Sequence, residues 1–261
     1  MNEPQPTSPR YVEDGQGYPI VLLHPIAMRL EFWEPVAVRL ARTNRVICVD
    51  LHGHGGNARA PEPYSIEDLA GEVITLVDRL KLESAVFVGC SLGGMVCQAI
   101  ALKAPRIVSG LVLANTTHAM TEKSTAVMLQ RAEASDKNLA GTVDADIERW
   151  FSPAFRATRP ETVDTVRRWT LANDSRVVAN GWRAIAGLDY EHAVAEIDCP
   201  VVVTTGSLDP ASPPDAGLAM SRLFPRARFK EIPEAGHFSP LECPDAFAAI
   251  VRDAVTATGD R

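Results

Sequence analysis

The stretch Gly89-Cys90-Ser91-Leu92-Gly93 has the form Gly-x-Ser-x-Gly, which places a serine on a sharp turn between a strand and a helix. The apolar run 85–88 before it favours a strand, and the run 95–103 after it favours a helix. Glycine is expected two positions either side of the serine, because larger side chains would collide with the turn. The pattern predicts that Ser91 is a nucleophile for acyl transfer, and an ordinary Gly/Ser turn is the structural alternative.

A serine hydroxyl needs a general base, and that base needs an acceptor that fixes its tautomer. In sheet-based enzymes of this kind the chain order is serine, acid, histidine, so we searched downstream of Ser91. Of the downstream histidines, His237 follows the last predicted strand and precedes the closing helix, at the same sheet edge as the serine. His118 and His192 border a helical insertion, where a surface or contact role is expected. We therefore predict His237 as the base.

The acid should follow an earlier strand at the same edge. Asp209 stands in a turn a few residues beyond the apolar run 201–205, and we predict it as the third member of the triad. An ordinary Asx turn is the structural alternative. Asp215 is a rival carboxylate that could instead cap the next helix, and Asp189 and Glu234 are weaker rivals.

An oxyanion hole needs two backbone N–H groups. The first is expected from Leu92, the residue after the nucleophile. The second is expected from the loop His24-Pro25-Ile26-Ala27, where proline has no N–H and Ile26 becomes the predicted donor. His24 is a candidate for substrate contact, although a role in holding this loop in shape is favoured over a part in the chemistry.

The residues named so far must be positioned by a sheet. Apolar strands and amphipathic helices alternate as far as residue 115, which predicts a parallel sheet with helices on both faces. The expected strands are 10–13 at an edge, 19–24, 45–49, 85–88, 107–114, 201–205 and 227–232. The expected helices of this domain are 32–42, 66–80, 95–103 and 244–255.

The alternation breaks in the middle of the chain. The range 116–190 carries no strand signal, reads as several helices, and holds Trp150, Trp169 and Trp182, three of the four tryptophans. We predict a core domain made of residues 1–115 and 191–261, with 116–190 inserted as a helical cap.

Composition excludes several classes of protein. The net charge of −7 and the lack of a basic run argue against nucleic-acid binding. No apolar run reaches the ~18 residues of a membrane helix, and no basic, apolar leader is found. The odd number of cysteines, five, with wide spacing is typical of reduced thiols, so we expect a cytoplasmic protein. The expected partner is a small-molecule substrate, and the oligomeric state stays open, with a homodimer as one option.

Three further features have a structural explanation that outweighs a chemical one. Gly53-x-Gly55 is an incomplete dinucleotide fingerprint. His52 and His54 lack companions at metal-ligand spacing, so we expect them to brace a loop. Cys90 should pack sideways into the sheet. The sequence thus predicts neither a metal nor an organic cofactor.

With these residues placed, the chain resembles the α/β-hydrolase superfamily over nearly its whole length. Within it, the chain is similar to the 3-oxoadipate enol-lactonase group and its esterase and cofactor-free haloperoxidase relatives. The likeness lies in the segments 89–94 (GCSLGG), 148–155 (ERWFSPAF) and 206–214 (GSLDPASPP). It implies an α/β-hydrolase fold with a mostly parallel central sheet, flanking helices and an inserted helical cap. It also implies serine esterase chemistry on an ester or lactone in aromatic compound catabolism.

Two segments depart from that group. That group carries a polar Asn-Ser, with glycine after the donor, where this chain has the loop His24-Pro25-Ile26-Ala27. It carries Arg-Gly-His-Gly-x-Ser where this chain has 52–57 (HGHGGN). Both are expected to border the pocket, so the substrate stays open.

The cap should choose the substrate. If the substrate carries a carboxylate, Arg149 is the candidate cation and Trp150 an apolar wall; a solvated arginine beside a core tryptophan is the alternative. Other activities on this apparatus are perhydrolysis and carbon–carbon bond hydrolysis of ring-fission products. A non-catalytic small-molecule receptor is a further class, against which an intact triad argues.

Overall fold

A computed structural model describes residues 9–57 and 62–258, so the ends of the predicted core range lie outside the described residues. Within these residues the strands are β1 Tyr11–Asp14, β2 Tyr18–Leu23, β3 Asn44–Val49, β4 Ala85–Cys90, β5 Val108–Ala114, β6 Val201–Gly206 and β7 Ala227–Ile232. These seven strands form one sheet in the order β1-β3-β2-β4-β5-β6-β7, and every pairing is parallel except that of β1 with β3. The predicted fold class is confirmed.

The central strands are buried on both faces, as their continuous apolar runs require. The helices of the core are α1 Glu34–Leu40, α2 Ile66–Arg79, α3 Leu92–Lys103, α8 Pro214–Ser221, α9 Ser239–Glu242 and α10 Pro244–Thr256. Helix α3 packs on β4 and against α2, and helix α10 packs on β5 and against α1, so helices cover the sheet. Helix α2 begins at a capping box, in which the side chains of Ser65 and Asp68 each accept a hydrogen bond from the other's backbone N–H.

Four further helices lie between β5 and β6, inside the predicted insertion. They are α4 Glu122–Trp150, α5 Pro153–Thr158, α6 Pro160–Leu171 and α7 Ser175–Ala186. Helix α4 is broken at Asn138, whose φ of −161° is not helical. The two ends of the insertion meet in an antiparallel bridge between Ala119 and Asp189. The cap therefore leaves the sheet domain and returns to it at one place.

One predicted element boundary shifts for a physical reason. The predicted helix 32–42 is divided into a 3₁₀ turn, Leu30–Trp33, and the shorter helix α1. The Leu30 N–H donates to the buried carboxylate of Asp50 at 2.7 Å, which fixes the chain ahead of the helix. None of the helices in the described ranges is long and apolar enough to cross a bilayer.

Candidate active site

Ser91 occupies a strained turn directly between β4 and α3. Its φ of 52° and ψ of −116° lie outside the ordinary regions for a side-chain-bearing residue. Two hydrogen bonds hold this backbone: the Ser91 N–H donates to Ala114 O at 2.9 Å, and Thr116 Oγ1 donates to Ser91 O at 2.7 Å. The strain is therefore imposed by the end of the neighbouring strand β5.

The flanking glycines are required by close backbone approach. A Cβ on Gly89 would lie 2.2 Å from the carbonyl of Gly93, and a Cβ on Gly93 would lie 2.0 Å from Leu23 O. Real Cβ atoms do not approach so closely, so the steric reason given for both glycines is confirmed.

His237 and Asp209 are brought together by the loops after β7 and β6. His237 Nδ1–H donates to Asp209 Oδ2 at 2.9 Å, and the carboxylate is 2% exposed. The other oxygen, Oδ1, accepts the Ala211 N–H at 2.8 Å. This arrangement leaves Nε2 of the imidazole as the nitrogen able to serve a nucleophile. His237 and Ser91 line the same cavity.

Asn115, which the sequence analysis did not select, supports the same carboxylate. Its Nδ2 donates to Asp209 Oδ2 at 2.9 Å, and its Oδ1 accepts from Ser239 Oγ at 2.6 Å. Asn115 directly follows β5, is fully buried and has a positive φ of 50°. A polar residue at the end of an apolar strand, as in Leu113-Ala114-Asn115, is the sequence signal that could have found it.

The ionisation of Asp209 is set by opposing influences. Burial raises the pKa of its carboxyl, but the charge and hydrogen bond of His237, the Asn115 amide and the Ala211 N–H outweigh burial and lower the pKa to about 2. Asp209 is thus an anion at neutral pH, as an acceptor for the imidazole must be.

The candidate oxyanion donors are the backbone N–H groups of Ile26 and Leu92. Ile26 lines the cavity, and Leu92 is the first residue of α3. Neither N–H donates a hydrogen bond to another group in the described residues. Ala27 follows with φ of 61°, a strained value that turns the loop, and Asn173 Nδ2 holds Ala27 O at 2.9 Å.

His24 is not among the residues that line the cavity, so a substrate contact for it stays a prediction. The residue is fully buried, and both ring nitrogens are bonded to backbone. Nδ1 donates to Pro25 O at 2.7 Å, and Nε2 accepts the Leu51 N–H at 3.0 Å. The ring holds the loop in shape, which was the favoured interpretation. The pKa of His24 is lowered by burial, so the ring is neutral.

The segment 52–57 lies behind His24 and does not line the cavity, contrary to expectation. Its anchor is Asp50, fully buried, whose carboxylate accepts from Arg10 Nη1 and from the Gly56 N–H, each at 2.7 Å. The ring of His54 is buried 5.3 Å from that of His24. Of the two departures from the enol-lactonase pattern, only the loop of Ile26 therefore faces the cavity.

A cavity of about 70 Å³ lies between the sheet edge and the cap. Its floor carries polar and apolar groups from segments that follow strands, whereas its roof comes mainly from long side chains of the cap. The floor includes Ile26, Ser91, Asn115 and His237; the roof includes Met120, Met128, Arg149, Trp150, Trp182 and Ile185. Ser91 and His237 thus face the cap across a narrow space.

Arg149 lines this cavity and is not a solvated surface arginine. Its side chain is 18% exposed, and Nη2 donates to Asp146 Oδ1 at 3.0 Å. Nε is buried with no hydrogen-bond partner in the described residues. Burial and the nearby charge of Arg131 lower the pKa of Arg149 to about 10, so it remains a cation at neutral pH.

Trp150 forms the wall beside Arg149. Its ring is 2% exposed and stacks on Phe238, with centroids 4.9 Å apart and planes 19° apart. Trp150 O also accepts the Phe238 N–H at 2.9 Å. The residue after His237 is thereby attached to the cap.

Glu242 is a second attachment between the cap and the loop of His237 that sequence reasoning missed. Its carboxylate accepts from Ser152 N at 3.1 Å, from Ser152 Oγ at 2.5 Å and from Gly236 N at 3.0 Å. Burial raises the pKa of Glu242, whereas these bonds oppose that change. The glutamate follows the candidate base by five residues, within the short helix α9.

The rival residues lie elsewhere. Asp189 takes part in the bridge at the base of the cap, and Asp215 is exposed in the first turn of α8. His118 is adjacent to the same bridge, and burial lowers its pKa. In the described ranges, His, Cys, Asp and Glu side chains form no group of three or more with the arrangement of a metal site.

Comparison with known proteins gives a consistent picture. Residues 18–244 match a family model described as the alpha/beta hydrolase fold. A curated relative, 3-oxoadipate enol-lactonase 2 of Acinetobacter baylyi, is 27% identical over 228 residues, which cover 87% of this chain and 85% of the relative.

Two solved structures share the architecture. The enol-lactonase from Burkholderia xenovorans LB400 superposes with a TM-score of 0.90 at 30% identity, covering 95% of this chain and 96% of that one. A thermophilic esterase from Thermogutta terrifontis, solved with malate bound, also gives a TM-score of 0.90 at 26% identity, with 95% and 93% covered.

Proposed function

The chain belongs to the α/β-hydrolase fold family, and we propose that it hydrolyses an ester or lactone of a small carboxylate-bearing molecule. The resemblance to the enol-lactonase group is confirmed by the relatives, which support α/β-hydrolase activity in general. The triad of Ser91, His237 and Asp209 and the choice of substrate are the proposed parts.

One observation carries the proposal: a single small cavity joins Ser91 and His237 on one wall to Arg149 on the other. A nucleophile with its base suits a reacting carbonyl. A buried guanidinium suits a carboxylate at the far end of the same molecule. A substrate with both groups would be oriented before it reacts, which lowers the entropic part of the barrier.

In the first step, Ser91 Oγ attacks the carbonyl carbon while His237 Nε2 takes the hydroxyl proton. Asp209, an anion at neutral pH, stabilises the imidazolium through the Nδ1–H bond. The carbon–oxygen bond to the leaving group then breaks, and His237 returns the proton to the departing oxygen. In a lactone that oxygen stays attached to the acyl chain, so ring opening leaves one acyl-enzyme.

Water completes the cycle. His237 takes a proton from water, and the resulting hydroxide attacks the acyl carbon. The bond between that carbon and Ser91 Oγ then breaks, and His237 returns the proton to Ser91 Oγ. The free N–H groups of Ile26 and Leu92 receive the negative oxygen in both steps. Removal of one such donor typically costs about 2.7–4 kcal/mol of transition-state stabilisation.

The substrate we favour is 3-oxoadipate enol-lactone, as part of aromatic compound catabolism. It carries both a lactone carbonyl and a carboxylate, and the relatives named above include enol-lactonases. The five free cysteines and the expected reducing compartment support a cytoplasmic setting for this role. A small molecule is the proposed partner.

A second candidate is a simple carboxylic ester that carries a carboxylate. The esterase solved with malate bound supports it, because malate is a small dicarboxylate. Such an ester would use the same cavity walls, and the leaving group would then diffuse away as an alcohol.

The proposal is tested by assaying the enol-lactone, monomethyl and dimethyl adipate, and a ring-fission dienoate with the wild-type chain and Ser91→Ala. We expect turnover of lactone or monoester by the wild type only, and labelling of Ser91 by a fluorophosphonate. Turnover of the dienoate alone would favour carbon–carbon hydrolysis. Lack of labelling together with tight substrate binding would favour a receptor.

A further inference from the structure

Two arginines and an aspartate surround Trp182 in the cap. Asp146 Oδ1 accepts from Arg131 Nη1 at 2.9 Å as well as from Arg149 Nη2 at 3.0 Å. The Cζ atoms of Arg131 and Arg149 lie 5.5 and 5.4 Å from the centroid of the Trp182 ring. These four residues are called the arginine cluster below.

The arginine cluster carries an excess positive charge. A single carboxylate serves two guanidiniums, and the ion pairs of the described residues give neither arginine a second carboxylate. Nε of Arg131, like that of Arg149, is buried without a hydrogen-bond partner in the part of the chain that the structure describes. The Arg131 side chain is 30% exposed, so its guanidinium is within reach of solvent while one of its donors stays unused. A partly buried cation with an unused donor is stabilised by an incoming anion.

Trp182 is a wall shared by two cavities. The cavity that is lined by Ser91 and His237, called the catalytic cavity below, lies on the side of Arg149. A larger cavity of about 370 Å³ lies on the side of Arg131 and Asp146, between the two arms into which the break at Asn138 divides α4. We call it the outer cavity. It reaches the surface, since Val127 on its wall is 37% exposed.

The sizes of the two cavities suit different tasks. Sites for small molecules usually measure about 300–1,000 Å³, a range that includes the outer cavity and excludes the catalytic one. The outer cavity is therefore large enough to hold a small acid by itself, on the other side of Trp182 from the catalytic cavity. A carboxylate in the outer cavity would meet Arg131 of the arginine cluster.

We propose that the outer cavity is a second carboxylate-binding site, in which Arg131 holds the carboxylate of an incoming ester or an outgoing acid before or after it contacts Arg149. The site rests on the proposed function for its role in turnover, but its binding of a carboxylate can be measured alone. A positive cavity beside the catalytic one raises the local concentration of anions.

The first test compares kcat/KM for monomethyl adipate, an anion, with that for dimethyl adipate, which is neutral. We expect Arg131→Gln to lower the ratio of anion to neutral ester about tenfold, and Arg131→Lys to fall between it and wild type. Arg183→Gln is the matched control. This substitution removes the same charge from the helix that carries Trp182. Arg183 lines neither cavity, and it donates hydrogen bonds to Asp136 and Asn180.

A ratio for Arg131→Gln within twofold of wild type would overturn the proposal. So would an equal loss in Arg183→Gln, because that would indicate a general effect of cap charge. More salt should lower the wild-type ratio as well.

The second test separates the outer site from Arg149 and from catalysis. Adipate binding is measured by calorimetry with Ser91→Ala/Arg149→Gln, and again after Arg131→Gln or Arg131→Lys is added. We expect binding to persist in the double variant, to be lost with Gln, and to be weakened with Lys. If a folded double variant does not bind adipate, the proposed outer site is excluded, even if the wild type hydrolyses esters. If the double variant binds adipate but the wild type hydrolyses none of the esters, the outer site is retained and the proposed substrate class is excluded.

Discussion

The two walls of the catalytic cavity are built in different ways. On the sheet side, the functional groups stand on backbone that is bent and held by hydrogen bonds. Of the five non-glycine residues with positive φ in the described ranges, four follow the carboxyl ends of strands: Ala27, Ser91, Asn115 and Glu234. On the cap side, Met128, Arg149 and Trp182 project from helices with ordinary backbone at those residues.

This difference separates two kinds of specificity. Backbone strain persists only where neighbouring groups fix it from several directions, so the sheet wall offers one geometry for the reaction. Long side chains on helices can be exchanged without moving the main chain. We therefore expect changes in the sheet wall to affect all substrates alike, and changes in the cap wall to affect substrates according to their charge.

The largest effect should come from Asp209→Asn, which keeps the shape but removes the charge that orients His237. We expect kcat to fall about 10⁴-fold for anionic and neutral esters alike, because a comparable change elsewhere costs that much. Steady-state kinetics on monomethyl and dimethyl adipate measure it. Asp215→Asn, at the rival carboxylate, should remain within twofold of wild type. The reverse pattern would assign the acid to Asp215.

A smaller and selective effect is expected for Arg149→Gln. Loss of one partner from a buried charge pair costs about 2–5 kcal/mol, so KM for monomethyl adipate should rise by about 100-fold. The effect on dimethyl adipate should be much smaller, and the ratio of the two is the measurement. Equal losses on both esters would contradict the division between the two walls.

Asn115→Ala should act through Asp209 and appear in the pH profile. Asp209 has a lowered pKa in the folded protein, so its stabilisation is present above the unfolded value near 3.8 and is lost as pH falls through about 2. Removing the Asn115 hydrogen bond should raise that pKa and move the loss of stability to higher pH. Thermal melts between pH 2 and 5 test this shift.

The companion variant Asn115→Asp would place a second carboxyl beside the first. Because like charges resist ionising together, the acid limb of activity should move further up in pH than in Asn115→Ala. At pH 7 we expect about a tenfold loss of kcat in Asn115→Ala from the poorly held carboxylate. If the pH profiles of both variants were the same as that of the wild type, Asn115 would have a packing role only.

The smallest effect is expected at Ala27. Its left-handed backbone costs an alanine roughly 1–2 kcal/mol, whereas glycine loses about 0.5–1 kcal/mol through entropy. Ala27→Gly should therefore raise stability by about 0.5–1 kcal/mol, with activity within twofold. Ala70→Gly, inside helix α2, should instead destabilise by about 1 kcal/mol or more. Denaturant titration of both variants gives the comparison.

The sheet wall could be predicted from the sequence because its signals are local. The pattern Gly-x-Ser-x-Gly predicts its own turn, and each of Asp209 and His237 follows a predicted strand whose end lies at a known edge of a parallel sheet. The two alternative roles predicted for His24 have the same origin. In a sequence, a histidine after a strand gives the same signal whether it takes part in chemistry or braces a loop. Only the two hydrogen bonds of its ring to backbone identify bracing as the role of His24.

The remaining features are contacts between distant segments. Arg131 and Arg149 share one carboxylate because α4 breaks at Asn138 and folds back, and neither glycine nor proline marks that residue itself. Glu242 reaches Ser152 across 90 positions of sequence. Such pairings depend on tertiary geometry, which a periodic pattern of apolar residues does not contain.

The bridge between Ala119 and Asp189 gives the cap the character of an exchangeable module. An insertion that starts and finishes at neighbouring points can grow or shrink at little cost, since doubling the length of a loop adds only about 0.6 kcal/mol of closure entropy. A protein with a foreign cap grafted between these two residues would keep the turn at Ser91 unchanged. Diversification of substrate range within one catalytic lineage could then proceed by replacing this segment as a whole.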